Sequence, residues 1–483
     1  MKIAVIGSGI SAVIVAKTFL KYNYKVHLID SEDILDEENV NNEKQNKFIP
    51  NIKKSPKYNN KHFIKSLKKF KKKYNVKTKN FFLASGLISG GLSNFWGAGI
   101  EIPNLNYLKK YSFGRSILKE QKNIDRELKI DKNKFNFFDF FFKQKTVEIM
   151  LKKINRSIYF SKFLPAIEHY NKNKLTIQDY NNVDLLSSYN KCIYNSKSEI
   201  FNLLKNKNFI YIPNTFIKNI KNIKKKILYE LVTDNKKKLN IRFNKIIISA
   251  GTVGSTILVD RILNSSEKYR LHHTPMLKLF YFTFLLPFKI KSKIKFSLPL
   301  LNLNIHNKKE KFFGSLMHLN NISNSFFGIR RFNILFSFIK KFIFVGNIFL
   351  PSNYSNTFID VHKNKTLIYS NNNFNQKKLI LMLKKKINPF LSQFNLFEFY
   401  PQNLKFLQNG SDAHYTSTLV EKYIKGKKLL NNYCELNKFK NIHIIDGSSI
   451  KEGLYYPTYF LMLYAKFISK KIIINDKKNK NQY

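Results

Sequence analysis

The chain opens on a hexapeptide that leaves little freedom in what can follow. Gly7-Ser8-Gly9-Ile10-Ser11-Ala12 lies between an apolar run at 2–6 (KIAVI) and an apolar stretch at 11–21. The first run reads as a short parallel strand buried on both faces, and the second as the helix after it. In a G-x-G-x-x-A turn of this kind Gly7 permits the tight reversal, and Gly9 lets the backbone come close to a pyrophosphate. Ala12 lets the helix pack against the strand, while Ile10 and Ser11 open the helix whose N-terminus faces the anion. The segment 25–30 (KVHLID) reads as a second strand. It ends in Asp30, about 20 residues beyond Gly9, where a carboxylate accepts ribose hydroxyls. Ser31 follows, and no arginine stands beside it to favour a 2′-phosphate. Taken alone, this unit is compatible with NAD or with FAD.

Charge is the one unusual feature of the composition. The 483 residues carry 85 Lys and Arg against 31 Asp and Glu, a net +54. At face value this suggests a polyanionic partner. The lysines are spread along the chain with Asn, Ile, Phe and Tyr, whereas a selected nucleic-acid site is local and favours Arg. No specific nucleic-acid partner is expected, only weak peripheral attraction to a membrane surface through lysine. The densest run, Lys65 to Lys73, reads as a solvated helix face. Two cysteines, Cys192 and Cys434, build neither a disulfide framework nor a zinc site, so no metal is expected. No window has the roughly 18 uncharged apolar residues of a transmembrane helix. The expected location is cytoplasmic, at most peripheral at the inner membrane face.

Residues 33–80 are polar and read as an insertion or excursion, and 105–205 as mixed and helical in large part, with an aromatic cluster at 135–142. A hairpin-like set follows at 209–213, 217–220, 226–233 and 239–249. The chain from 276 to 370 alternates short β-rich runs with polar breaks, which suggests a separate sheet. A strand at 441–446, a turn at 447–456 and a helix at 457–473 close the chain.

Four blocks carry further chemistry. Gly90-Gly91-Leu92-Ser93-Asn94-Phe95-Trp96-Gly97 has paired glycines whose N–H groups can reach a planar ligand edge. Ala250-Gly251-Thr252-Val253-Gly254-Ser255 is a second strand-to-helix turn. Ile445-Asp446-Gly447-Ser448 and Pro457-Thr458 lie near the end. In order and approximate spacing these blocks resemble the flavin loop, the A-G-x-x-G-S turn, and the D-G-S and N-P-T segments of the glucose–methanol–choline (GMC) oxidoreductases. Residues 105–200 and 266–400 show no such similarity.

The resemblance implies an α/β protein with a Rossmann-like FAD-binding domain built from discontinuous segments (1–130, 200–265 and 405–475). A sheet-based α+β substrate domain (131–199 and 266–404) is inserted, and 476–483 is left as a disordered tail. FAD is the implied cofactor. It is expected to be non-covalent, because Phe95 stands about where some sugar-oxidising relatives attach flavin through histidine. Its implied contacts are Gly7, Gly9, Ile10, Ser11, Ala12, Asp30, Ser31, Gly90, Gly91, Ser93, Asn94, Trp96, Ile217, Ala250, Gly251, Asp446, Gly447, Pro457 and Thr458. Trp96 reads equally as core packing. His414 falls in the segment matching the family's catalytic histidine, with a satisfied structural histidine as the alternative. Tyr456 stands where the family has Asn or His before the Pro-Thr pair; a phenol can still donate to an alkoxide-like oxygen. His443, in an apolar strand, reads as packing or solvent-facing. The implied activity is oxidation of a CH–OH group in a sugar, polyol or glycan precursor, with the electron acceptor open. Two alternatives stand beside it: a flavin enzyme for an amine or activated alkene, and a flavin-binding protein with a decayed catalytic pair.

Overall fold

The apolar run at the start forms Lys2–Ile6, with Ile3 to Ile6 all buried. A strand apolar on both faces belongs inside a parallel sheet covered on each side. The computed structural model describes residues 1–35, 61–128, 157–162, 193–222, 228–233, 241–284, 301–307, 310–319, 338–362, 365–371, 374–398, 404–424 and 426–480, with a few isolated positions. In it Lys2–Ile6 is the middle strand of a five-stranded sheet. Lys25–Ile29 and then Phe209–Ile212 lie on one side, Lys245–Ile248 and then Ile442–Ile444 on the other. All four pairings are parallel. In chain order the strands read 3-2-1-4-5 across the sheet. The chain thus winds outward in both directions from the first strand, and a crevice opens at the carboxyl ends of the first and fourth.

Helix Ile10–Lys21 covers one face, with Ala12, Val13, Ala16 and Phe19 excluded from solvent. Asn23, at φ 61°, turns the chain back toward the second strand. The long helix Pro457–Lys480 packs along it. That helix runs past 476, where a disordered tail was expected. Asp476 is held by the Lys245 ammonium at 3.2 Å, an ion pair closing the last turns onto the sheet.

A second sheet is antiparallel, in the order Phe397–Glu398, Met276–Phe282, Ile343–Phe349, Glu310–His318, Leu301–Asn307, Ile158–Lys162, with Lys405–Phe406 also pairing with Met276–Phe282. Helix Gln376–Ser392 covers it with Leu379, Leu383, Ile387 and Phe390, a stripe at helical spacing. Its N-cap Asn375 accepts from the Lys378 N–H at 3.0 Å, worth about 1 kcal/mol. A third sheet orders Val76–Lys79, Lys365–Ser370, Thr357–His362 and Lys268–Leu271.

Other sequence expectations meet the structure as follows. Among the described residues of 209–249, where a hairpin-like set was expected, one hairpin pairs Ile217–Asn222 with Tyr229–Thr233; Phe209–Ile212 and Lys245–Ile248 are parallel strands. In the excursion at 33–80, helix Lys61–Tyr74, with Phe63, Phe70 and Tyr74 buried and most lysines outward, agrees with the reading of Lys65 to Lys73 as a solvated helix face, while the strand Val76–Lys79 after it was not expected. Within 105–205, Ile158–Lys162 is a strand. The aromatic cluster at 135–142 and Cys192 lie outside the described residues. Cys434 is buried and free, its thiol meeting the Tyr464 hydroxyl at 2.7 Å.

Candidate functional site

The two glycines of the opening turn do different work. Gly7 sits at φ +107°, and a Cβ there would fall 2.3 Å from the Ser249 carbonyl oxygen on the neighbouring strand end. Only glycine fits. Gly9 has an ordinary φ of −69° as N-cap of the first helix, and a Cβ there would meet nothing within 4 Å. Neither backbone nor protein packing requires glycine at that position. What a side chain would fill is the cleft.

That cleft, of about 260 Å³, lies at the carboxyl ends of the first and fourth strands. Asp30, at the end of the second strand, is buried on its rim. It accepts from the Tyr211 hydroxyl at 3.1 Å, and burial raises its pKa despite partners that include Ser8, Ser89 and Tyr211. Its carbonyl accepts the Thr215 N–H at 2.7 Å, which brings Thr215 to Ile217 to the same end.

The glycine-rich loop crosses over the first turn. Gly90 and Gly91 have φ of +79° and +59° and lead into a short 3₁₀ turn, Gly91–Phe95. A Cβ on Gly91 would lie 3.1 Å from the Gly9 Cα, so the two loops touch glycine to glycine. The Gly90 N–H donates to Ser8 Oγ at 2.9 Å. Asn94 donates to the Ser89 and Gly91 carbonyls and accepts from Asn195, and Ser93 Oγ donates to the Gly90 carbonyl. Asn94 and Gly90 therefore shape the loop instead of facing the cleft. Phe95 is buried edge-on against Phe63. Trp96 lines the cleft and also packs on the main core.

The other turns close the far wall. Gly251, at φ +78°, caps helix Thr252–Leu263. Asp446 is buried and fully engaged: it accepts from Ser255 Oγ, from the Ser448 N–H at 2.9 Å and from Ser448 Oγ at 2.6 Å. Burial raises its pKa. Its carboxylate ties two turns together. A Cβ on Gly447 would collide with Thr252 Oγ1 at 2.3 Å and the Tyr415 carbonyl at 2.6 Å. Three helices begin at the cleft, at Ile10, Thr252 and Pro457, and their N-termini favour negative charge. Among the described lining residues there is no Lys or Arg, so the net charge of the chain does not enter the cleft.

His414 reaches the cleft from a loop bent by Ala413 at φ +61°. Behind it Asp412 is buried. This carboxylate accepts from His273 Nδ1 at 2.9 Å, the Thr274 N–H at 3.0 Å, Thr274 Oγ1 at 3.2 Å and the His414 N–H at 3.1 Å. Burial raises its pKa, but His273, His414 and the hydrogen bonds outweigh it and hold the pKa down to about 2. Thr274 Oγ1 lies 3.5 Å from His414 Nδ1. Asp412 thus reaches the imidazole through Thr274 and the backbone, while its direct imidazole partner is His273. The Tyr456 ring stands edge-on to His414, centroids 6.0 Å apart at 89°, and also meets Phe313 and Phe349. Its buried phenol is directed to Ser315, and burial pushes its pKa up. The Tyr455 and Tyr456 N–H groups donate to Glu101 at 2.6 and 2.7 Å. Burial raises the Glu101 carboxyl to about 7.

All the sequence-predicted residues therefore line the cleft except Ala12, Gly90, Asn94 and Tyr456. Ala12 is buried beneath it, as its packing role requires. His443 is buried, bonded to the Tyr433 carbonyl at 3.0 Å, with its pKa lowered to about 3 by burial and Lys245. Sequence reasoning missed Tyr211, Thr215, Phe216, Asp412 as the anchor of His273, and Glu101. The one available signal was Thr215, three residues beyond the end of the parallel strand Phe209–Ile212. No protein-family model matches this chain, and no curated protein is significantly similar to it.

Proposed function

We propose that the chain is an FAD-dependent oxidoreductase acting on a CH–OH group of a sugar, polyol or glycan precursor. One observation carries the proposal. Motif blocks scattered from Gly7 to Thr458 converge on a single cleft, at the switch point of a 3-2-1-4-5 parallel sheet, with His414 on its wall. The resemblance to GMC oxidoreductases turns this Rossmann-like arrangement toward FAD rather than NAD.

The residues present fit the cofactor. The open space over Gly9, with the N–H groups of Ile10 and Ser11, suits a pyrophosphate met by backbone and helix N-terminus instead of by lysine. Asp30 suits ribose hydroxyls, with Ser31 and Ile217 beside it. Gly91, Ser93, Trp96, Ala250, Gly251, Gly447, Pro457 and Thr458 would hold the rest, and buried Phe95 offers no atom for a covalent link. FAD, when bound, supplies a two-electron acceptor for hydride. His414 takes the proton of the substrate hydroxyl, as a base of near-neutral pKa in water can do without much tuning. Thr274, held by Asp412, orients the imidazole. Tyr456 walls the imidazole with its ring, and its phenol lies on the Ser315 side.

An absorption spectrum of the purified protein, followed by anaerobic titration with a panel of sugars and alcohols, tests this. Lack of flavin bands with FAD in excess refutes the cofactor. The position of Tyr456 outside the cleft lining favours one second reading, a flavin-binding protein whose catalytic pair has decayed. FAD retained but reduced by no hydroxylated compound is the outcome that reading requires.

A further inference from the structure

Asp412 serves two histidines with its two oxygens, and only one of them reaches the cleft. Oδ1 accepts from His273 Nδ1 at 2.9 Å. Oδ2 accepts from the Thr274 N–H at 3.0 Å, Thr274 Oγ1 at 3.2 Å and the His414 N–H at 3.1 Å. The His273 and Asp412 side chains are excluded from solvent, and the Phe81 ring stands edge-on to the imidazole at 5.6 Å. Hydroxyl and amide groups fix its far side. His273 Nε2 lies 3.2 Å from Thr357 Oγ1, which donates to Ser370 Oγ at 2.9 Å; Ser370 Oγ also accepts from the Asn409 amide at 2.7 Å. Thr357 pairs across the third sheet with Ser370 on one side and with Leu271, just before the histidine pair, on the other. The end of that sheet thus fixes an imidazole that does not line the cleft and has no part in the proposed reaction.

An ionised carboxylate only accepts, so His273 carries a hydrogen on Nδ1. The same rule decides the Thr274 hydroxyl. It has one hydrogen, and the charged oxygen of Asp412 at 3.2 Å outweighs the neutral ring nitrogen of His414 at 3.5 Å. Thr274 therefore turns a lone pair to His414 Nδ1, which that nitrogen meets with a hydrogen of its own. Nε2 is left as the basic nitrogen of the neutral ring. This order holds while Asp412 stays ionised. Burial favours its neutral form, and His273 is first among the groups that oppose burial. Without His273, Oδ1 has no donor in a buried setting, and a charge left so is relieved by taking up a proton. Thr274 then loses its charged acceptor and is free to donate to Nδ1. The His414 hydrogen moves to Nε2, the nitrogen needed as base. We propose that His273 is a positioning residue for His414: by occupying Oδ1 of Asp412 it keeps the Thr274 hydrogen off Nδ1 and so fixes the ring tautomer. Its use in turnover rests on the reading of His414 as the base, whereas the tautomer itself needs neither cofactor nor substrate.

The test is two-bond proton–nitrogen correlation spectroscopy of the full chain with isotope label in its histidine rings, at a pH that leaves His414 neutral. The signal lost in His414→Gln assigns that ring. Wild-type His414 should show a protonated Nδ1 and a bare Nε2. His273→Leu should shift it to the Nε2–H form, and so should Thr274→Val, which removes only the hydroxyl. His273→Asn, whose amide can still donate to Oδ1, should keep the wild-type signal. With FAD bound at unchanged affinity, reduction of His273→Leu by substrate should slow by about 10²-fold, and His273→Asn should recover most of the rate. A wild-type His414 protonated on Nε2 overturns the proposal before any other variant is made. An unchanged tautomer in His273→Leu or in Thr274→Val also overturns it. Equal loss in the Leu and Asn variants does the same, since it marks His273 as packing alone. An Nδ1–H tautomer lost in His273→Leu and kept in His273→Asn supports the positioning role even where no sugar or alcohol reduces the protein, a result that refutes the reaction alone.

Discussion

Gly7 and Gly9 stand two residues apart, and the cofactor reading requires them to fail in opposite ways. In Gly7→Ala the new methyl meets the Ser249 carbonyl oxygen at 2.3 Å and carbon at 2.9 Å, at a φ of +107°. Backbone strain costs about 1–3 kcal/mol and forced overpacking a similar amount. A total of about 3–5 kcal/mol is a large share of the 5–15 kcal/mol that typically holds a fold. Gly9→Ala meets no protein atom and keeps an ordinary φ. Replacing an N-cap glycine with alanine costs about 0.5–1 kcal/mol, and the smaller entropy of the unfolded chain returns about 0.4–1. The variant should therefore unfold without FAD at the wild-type temperature. If its methyl displaces the pyrophosphate at a cost of about 2.7 kcal/mol, FAD affinity falls about a hundredfold. At FAD one hundred times the wild-type Kd, the ligand stabilises wild type by about 2.7 kcal/mol and Gly9→Ala by only about 0.4. Thermal unfolding with and without FAD reads both quantities. Wild-type FAD stabilisation in Gly9→Ala would refute the placement of the pyrophosphate, and a fully stable Gly7→Ala would refute the strain argument.

His414→Ala should purify with FAD and be reduced by substrate about 10²–10⁴-fold more slowly in stopped flow; unchanged reduction removes His414 from the mechanism. Asp412→Asn should lose its disadvantage in acid. The folded Asp412 pKa lies at about 2, below the ordinary 3.8, so its stabilisation is complete above about pH 4. The wild type then loses about 2 kcal/mol relative to the variant as pH falls from 4 to 2, read as converging urea midpoints. Glu101 has the opposite sign: its folded pKa is raised from 4.5 to about 7. The folded state holds the proton longer, and stability declines by about 2–3 kcal/mol as pH rises through that window. Glu101→Gln should flatten this slope; an unaltered pH profile excludes Glu101 as its source.

Much of the site was legible because its residues answer to local backbone demands. A glycine forced to positive φ, as at Gly7, Gly90 and Gly251, leaves its mark in the sequence wherever the chain later travels. The acid ending a buried strand, at Asp30, does the same. Those marks pointed to the turns of the cleft, and its lining includes most of the residues they named. Partners were not legible. Nothing in the neighbourhood of Asp412 reveals that its imidazole is His273, about 140 residues earlier. The Asn94 amide braces its own loop and the Tyr456 phenol lies on the Ser315 side, and neither partner is written in the sequence around these residues.

Strand order divides in the same way. The sequence alone determined the opening βαβ unit and the closing strand and helix, since each joins neighbours through a short connection. It could not distinguish Phe209–Ile212 from a hairpin strand, because an apolar run of four has no periodicity that names its partner. Only the tertiary structure put that strand beside Lys25–Ile29, across a long intervening chain, and Ile158–Lys162 at the edge of the antiparallel sheet. Backbone conformation is a local cost, written residue by residue. Pairing between remote segments is decided by which buried faces fit together, and that exists only once the chain has folded.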